Sequence, residues 1–303
     1  MKLLTFDVGG TEIKYAVMDE NLNISERGYF PTPMDTFEHF ADNIQEVYLQ
    51  YKDQVEGVAM SLPGFVDVKK GRINGGGALL YNHGTDVGPL LEERLGCRVV
   101  LENDGKAAVQ AEFYKGALQG CTNAAVCVIG TGVGGGLIIN KQVVRGRHFT
   151  AGEFSFLNTN AEKFDDFSSY MGMNCSTTGL LGTYAIKKGL KEKIDGREFF
   201  RRLPDDEVAQ EVLDDFTKAV AKQIYNFYWL LDIEKVAIGG GISRQPILTE
   251  KIRDNLQAVM QESPMGRFLP KLEVEVVTCE FHNDANLIGA FMTYLNEINP
   301  ANE

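Results

Sequence analysis

Cysteine is sparse and unpatterned. Its five residues (Cys97, Cys121, Cys127, Cys175 and Cys279) are scattered over 303 positions with no CxxC pair. An odd, unspaced set predicts reduced and mostly buried thiols, and argues against both a disulfide framework and a zinc site. Histidine is rarer still: His39, His83, His148 and His282 show no metal-ligand spacing and read as structural. Basic charge is in deficit, with 30 Lys and Arg against 42 Asp and Glu and a net charge of −12. That balance argues against a general nucleic-acid or anionic-membrane surface, though not against one local phosphate pocket. No apolar run approaches the ~20 residues of a membrane span. No charged segment followed by an apolar one opens the chain, so a cytoplasmic setting is expected. The pattern GxxxxGK[ST] is missing, which excludes a P-loop.

Glycine, by contrast, is abundant, and several clusters fall where apolar runs end. The first is the most telling. Leu3 to Val8 is an apolar run carrying Asp7; it turns through Gly9 and Gly10 and resumes as an alternating pattern to Val17. This predicts two antiparallel strands joined by a glycine turn. Bare backbone amides at such a turn, flanked by the Thr11 hydroxyl and the Lys14 ammonium, suit a phosphate. A carboxylate beside a phosphate implies a divalent cation between them, so Asp7 points to Mg²⁺. An ordinary hairpin with a surface Asp is the plain alternative.

A length of 303 residues is comfortable for two domains. The predicted order is a third strand over 24–30, a helix over 37–51, a strand over 57–61, and a small hairpin over 65–73. A loop over 74–84, a helix over 87–95, a strand over 98–101 and a helix over 106–114 follow. Then the opening pattern returns, with a strand over 124–129, a glycine turn over 130–136, a strand over 137–140 and a polar turn into Val143. This resembles a degenerate internal repeat, one copy opening each half. Later come a helix over 214–231, a strand over 235–238, a helix over 247–260, a strand around 274–277 and a closing helix from Asp284 to Leu295. Residues 158–204 have weak periodicity. Helices alternating with strands indicate α/β architecture.

Gly130-Thr131-Gly132-Val133-Gly134-Gly135 formally matches GxGxxG after a strand. The dinucleotide fingerprint must open a helix, however, and the residues that follow favour a strand. A second phosphate-binding hairpin with Thr131 as an added donor fits better. Gly239-Gly240-Gly241 ends a strand before a helix, where glycines admit a flat ring or a phosphate against backbone. Glu102-Asn103-Asp104-Gly105 lies at a strand's carboxyl end, where α/β sheets place ligands. A carboxylate there can accept a hydroxyl proton during phosphoryl transfer, or it can simply cap the next helix. Glu153 is a lone acid in an apolar stretch, suited to paired sugar hydroxyls or to a salt bridge.

Together these motifs resemble the ROK sugar kinases (repressor, open reading frame, kinase) of the actin-like ATPase superfamily, over essentially the whole chain. The opening Asp7-Val8-Gly9-Gly10-Thr11 with Lys14 is similar to the family's first phosphate motif, and Ser61-Leu62-Pro63-Gly64 to its sugar-domain turn. Glu102-Asn103-Asp104 resembles the catalytic segment. The glycines from Gly130 to Gly136 resemble the second phosphate loop, Ala237 to Ile242 the adenosine loop, and Asp284 to Ala290 the start of the closing helix. The resemblance implies two actin-like (ribonuclease H-like) lobes with an interlobe cleft, 1–116 and 117–303, the closing helix over 284–296 able to pack back on the first. It implies ATP and Mg²⁺ as cofactors, a homodimer, and phosphorylation of a primary hydroxyl (O6) of a hexose or β-glucoside. Asp104 is the implied base. Asp7 (to Mg²⁺ through water), Gly9, Gly10, Thr11, Lys14, Thr131, Gly132, Gly240 and Gly241 are the implied nucleotide-binding residues. Asn103, Asp104, Glu153, Gly76 and His83 are the implied sugar-binding ones.

Two departures from the family pattern stand out. After Gly152-Glu153 the family's His is replaced by Phe156. The family's zinc cysteines are missing from the stretch Met171 to Thr178, so no structural zinc is expected. An aromatic at that place suits an apolar or sugar aglycone, which sets a β-glucoside or disaccharide close beside a plain hexose as the expected acceptor. A sugar-responsive repressor is the competing class; only Met1 and Lys2 precede the first strand, which leaves no room for a DNA-binding helix pair. A sugar-binding protein without kinase activity is a further alternative, disfavoured by the presence of Asp7, Lys14 and Asp104.

Overall fold

Two five-stranded sheets of identical plan carry the chain. The computed structural model describes residues 1–268 and 273–299. These divide into two compact units. One comprises Met1–Tyr114, Arg145–Ala151 and the chain from Asp284; the other comprises Lys115–Val144 and Gly152–Asn283. The first unit therefore takes a short middle stretch and the closing helix as well as the chain up to Tyr114.

In the first unit the strands are β1 (Lys2–Val8), β2 (Glu12–Asp19), β3 (Ile24–Pro31), β4 (Gly57–Leu62) and β7 (Arg98–Asn103), ordered β3-β2-β1-β4-β7. β5 (Phe65–Asp67) and β6 (Arg72–Gly75) form a separate hairpin. β1 and β2 pair antiparallel with Asp7 opposite Lys14, whereas β1, β4 and β7 run parallel. β4 is buried along its whole length, as a central parallel strand must be, while β3 at the edge is largely exposed and carries Glu26 and Arg27. Helix α1 (Phe37–Tyr51) is capped by Thr36, whose hydroxyl accepts from the His39 amide, and buries Phe40, Ala41, Ile44, Val47 and Tyr48. α2 (Val87–Leu95) ends at Gly96 in the left-handed conformation, φ 70°. α3 (Asp104–Lys115) begins at Asp104 itself, two residues before the expected start.

The second unit repeats the plan. Strands β8 (Ala124–Ile129), β9 (Val133–Ile139), β10 (Gln142–Val143), β11 (Lys235–Gly239) and β12 (Glu275–Thr278) are ordered β10-β9-β8-β11-β12. The first three pair antiparallel and the last three parallel. One expectation is corrected here: only Gly130 to Gly132 turn, and Gly134 to Gly136 lie inside β9. The reason is packing. A Cβ on Gly135 would come 2.2 Å from the Phe154 ring, which stacks on Phe227 with centroids 4.5 Å apart. Burying such a ring is worth about 2 kcal/mol, so bare strand backbone is traded for aromatic contact.

The weakly periodic stretch holds three short helices, α4 (Met171–Asn174), α5 (Thr177–Lys188) and α6 (Gly196–Arg202). The starts of α5 and α6 are set by side-chain caps, Ser176 on the Gly179 amide and Asp195 on the Glu198 amide. α7 (Glu207–Leu231) begins seven residues earlier than the periodicity suggests, because Asp206 caps it through the Val208 and Ala209 amides. α8 (Pro246–Glu262) packs on α7. The closing helix, α9 (Ala285–Ile298), belongs to the first unit and lies against β4, β1 and β7. Its approach is close: a Cβ on Gly289 would sit 1.9 Å from the Ala107 carbonyl oxygen, and one on Gly57 would sit 2.3 Å from the Tyr294 hydroxyl. No helix among the described residues is long and apolar enough to cross a membrane.

Candidate active site

Parallel pairing in the first unit brings Asp7, Ser61 and Glu102 to one level across β1, β4 and β7. Residues so paired share a face. Asp7 is half-buried, and its carboxylate accepts from the Asn286 amide at 2.9 Å. Burial above all pushes its pKa up, as do the charges of Asp104 and Asp284, while Asn286 and Lys14 pull it down. Asp104 and Asp284 act on it through charge alone, and no cluster of three or more His, Cys, Asp or Glu among the described residues is placed to hold a metal ion, so a cation here would rest on Asp7 and on oxygens of the ligand. The Ser61 hydroxyl beside it is fully buried and has no hydrogen-bond partner among the described residues. An orphaned buried hydroxyl at the end of a parallel strand marks a place a water or ligand atom would satisfy.

The turn after β1 is braced rather than loose. The Gly9 amide donates to the Glu12 carbonyl at 3.0 Å, and the Thr32 hydroxyl donates to the Gly9 carbonyl at 2.7 Å. The amides of Gly10 and Thr11 have no acceptor among the described residues. Donors left open in this way are available to an anion.

Asp104 opens α3 and is held at one oxygen. Its Oδ1 accepts from the Gly105 amide at 2.8 Å and from Asn103 Nδ2 at 2.9 Å, which leaves Oδ2 for a proton. Burial raises its pKa, against the lowering pull of the Gly105 amide, Lys106 and Asn103. Asn103 is itself fully engaged: Nδ2 also donates to the Gly64 carbonyl at 2.9 Å, and Oδ1 accepts from the Lys106 amide at 3.1 Å and its ammonium at 3.3 Å. One amide hydrogen thus holds Asp104, while the other and the oxygen fix the Asn103 side chain itself. Gly76 is buried, and a Cβ there would meet the Leu79 carbonyl at 2.4 Å. His83 is exposed and terminates a short turn of helix, while its neighbour Asn82 carries a buried amide oxygen without a partner among the described residues.

The second unit offers a cavity of about 530 Å³, a size typical of small-molecule sites. The Gly130-Thr131 turn, Thr177 and Thr178 at the start of α5, and the Gly241 turn border it. Leu181, Phe200 and Ile242 give it apolar walls; Arg197 and Arg244 supply positive charge. Gly240 takes φ +93°, and a Cβ on it would lie 2.1 Å from the Ile129 carbonyl oxygen, so glycine is required there. Gly241 has nothing within 4 Å of its Cβ position. The Thr131 and Gly132 amides have no acceptor among the described residues, and Gly132 abuts the Ser155 hydroxyl. Flat apolar walls, free amides, a helix start and two guanidinium groups suit a nucleoside carrying phosphates.

Glu153 stands at the head of the 3₁₀ turn Phe154–Phe156, half-buried. Phe156 in the same turn is 66% exposed, whereas Phe154 is core. Cys175 lies in the core of this unit, and burial pushes its thiol up to about 12. Such a thiol is neutral packing material. Motif reading placed Ser61 and Asn286 inside motifs without giving either a role, and it missed Lys106, Thr177, Thr178, Arg197 and Arg244. Only the Ser176-Thr177-Thr178 cap signal could have drawn attention to any of them.

The ROK family model matches residues 3–297. Over 304 residues the chain is 30% identical to a beta-glucoside kinase from Listeria monocytogenes, with 99% of each chain covered. A ROK family protein from Streptococcus pneumoniae, solved in complex with sucrose, is 29% identical with TM-score 0.87, over 99% of this chain and 100% of that one. A ROK family glucokinase from Streptomyces griseus, solved with glucose and AMPPNP, shares the fold at TM-score 0.80 and 24% identity, over 96% and 98% of the two chains. The actin-like α/β architecture implied by the motif order is the observed one. Matched from its first strand to its closing helix, the chain belongs to the ROK family.

Proposed function

We propose that this chain transfers the γ-phosphoryl group of ATP to the primary hydroxyl, O6, of a glucose-type sugar. The protein is a sugar phosphotransferase, and the observation that carries the mechanism is the clamped Asp104 carboxylate with one oxygen left open. The sugar oxygen attacks the γ-phosphorus in line, its proton passes to Asp104 Oδ2, and the bond to the β-phosphate oxygen breaks to release ADP. Phosphoryl transfer needs mainly position and charge neutralisation, so a weak carboxylate base suffices. The cavity bounded by Gly130, Thr131 and Gly241 holds the nucleoside, and the bare Thr131 and Gly132 amides at its edge hold phosphate. Asp7 would hold a Mg²⁺ ion, which would supply neutralisation of phosphate charge. Glu153 receives sugar hydroxyls.

The acceptor is a β-glucoside or disaccharide. An aromatic ring two-thirds exposed, three residues after the sugar carboxylate, supports this, since such a ring suits the apolar face of a second sugar. The name of the Listeria relative agrees with it. The test is ADP release with ATP and glucose, cellobiose or N-acetylmannosamine. Release that depends on sugar, with cellobiose turned over best, supports the reading. Release indifferent to sugar removes the kinase, and equal or better turnover of N-acetylmannosamine removes the β-glucoside preference.

A further inference from the structure

One buried charge in the first unit is left unexplained by the chemistry above. Glu102 has no exposed surface, yet it sits two residues before the base. Its Oε2 accepts from Arg145 Nε at 3.0 Å, Arg145 Nη2 at 2.7 Å and Gln110 Nε2 at 3.0 Å. Its Oε1 accepts from the Asn103 amide at 2.9 Å. Gln110 continues inward, donating to the Thr293 hydroxyl of α9 at 2.6 Å. A carboxylate withdrawn from water in this way is tolerable only with a well-fitted cation.

The position of that cation in the chain is unusual. Arg145 opens the seven-residue stretch Arg145–Ala151, which belongs to the first unit although the chain on either side belongs to the second. The stretch contains Gly146 and Phe149 in left-handed conformations, φ 74° and 61°, and leads through Gly152, φ 79°, into Glu153. Three such residues in seven make a tightly specified path. The Ala151 amide closes it by donating to the Arg145 carbonyl at 3.3 Å.

We infer that Arg145 is a positioning residue for phosphoryl transfer: by clamping Glu102 it fixes the β7–α3 junction from which Asp104 projects. This rests on the kinase reading. The line of contacts is continuous, from the Arg145 guanidinium to the Glu102 carboxylate, to the Asn103 backbone, to the Asn103 side chain, to Asp104 Oδ1. Two guanidinium nitrogens donate to the one oxygen, Oε2, where lysine's single nitrogen would supply one such bond from a compact, more strongly hydrated charge. Arg145 touches neither reacting atom in this scheme; it acts through Glu102.

The experiment compares the full-length wild type with Arg145→Lys and with the double variant Glu102→Gln/Arg145→Met, which removes both charges at once. Steady-state kcat, KM for ATP, nucleotide affinity by calorimetry and Tm are measured for each. Misplacing a catalytic group by about 1 Å costs on the order of 10²-fold, so both variants should lose about 30-fold or more in kcat. KM for ATP and nucleotide affinity should stay within about threefold, because the cavity that holds the nucleoside lies in the other unit. Rate loss in a folded double variant separates positioning from an orphaned charge. Retention of more than a third of kcat by Arg145→Lys overturns the inference. So does a fall in kcat, nucleotide affinity and Tm together, or failure of both variants to fold, since either outcome makes the pair a folding element only. A wild type that phosphorylates no sugar removes the kinase reading and the inference with it; a working wild type with an indifferent Arg145→Lys removes the inference alone.

Discussion

Asn103 donates to Asp104 through one amide hydrogen at 2.9 Å and spends the other on the Gly64 carbonyl at 2.9 Å. The carboxylate is thereby held by a side chain that is itself held. Asp104→Asn keeps the shape and one acceptor oxygen but cannot take a proton. It should lower kcat by about 10²–10⁴-fold, the usual worth of a general base. Nucleotide affinity should be unchanged by calorimetry. A variant retaining a tenth of the wild-type rate would remove Asp104 from the role of base.

As the proposed base, Asp104 should also set the acid limb of the pH profile. Burial holds its pKa above the ordinary carboxylate value of about 3.9, and the base works only when ionised. The rate of sugar phosphorylation should therefore rise with pH through that raised value and level off above it. Stability runs the other way. Between the unfolded and folded pKa values the folded state binds more protons, so stability is highest below the unfolded value and is lost as pH rises through the folded one. Asp104→Asn abolishes that loss, so at pH 7 the inactive variant should have the higher Tm. An equal or lower Tm would show that the carboxylate is not strained by burial.

Neighbouring glycines at the end of β11 should separate folding from binding. A side chain on Gly240 collides with the Ile129 carbonyl and demands a strained backbone, whereas one on Gly241 points into open space at the cavity rim. Gly240→Ala is expected to express poorly or melt several degrees lower. Gly241→Val is expected to melt normally and to raise KM for ATP by about tenfold, through occupied volume. Normal ATP affinity in a folded Gly241→Val would move the nucleoside out of this cavity.

Much of this was legible in the sequence because the glycine turns, the Asp at the end of an apolar run and the strand–helix alternation are local signals. Equal strand orders in the two units follow from the repeated hairpin pattern around Gly9 and Gly130. What escaped depends on distant packing. Gly134 to Gly136 read as turn because nothing nearby announces the Phe154 ring that needs their missing side chains. The start of α7 was missed because Asp206, its cap, stands well before the apolar stripe becomes regular. Asn286 on Asp7 and Arg145 on Glu102 join residues 279 and 43 positions apart, and no spacing rule reaches that far.

Phe156 tests the acceptor class. Its ring is 66% exposed, so truncation should cost little stability, within about 0.5 kcal/mol as for most surface positions. If the ring supports a second sugar or an aglycone, Phe156→Ala should lower kcat/KM for cellobiose by about tenfold or more, the worth of one lost apolar contact. Glucose, which has no second ring to stack, should lose much less. The ratio of the two specificity constants is the decisive number, because a general disturbance of the Glu153 turn would depress both alike. A parallel fall would assign Phe156 to the shape of that turn and return the choice of sugar to Glu153 and the first unit.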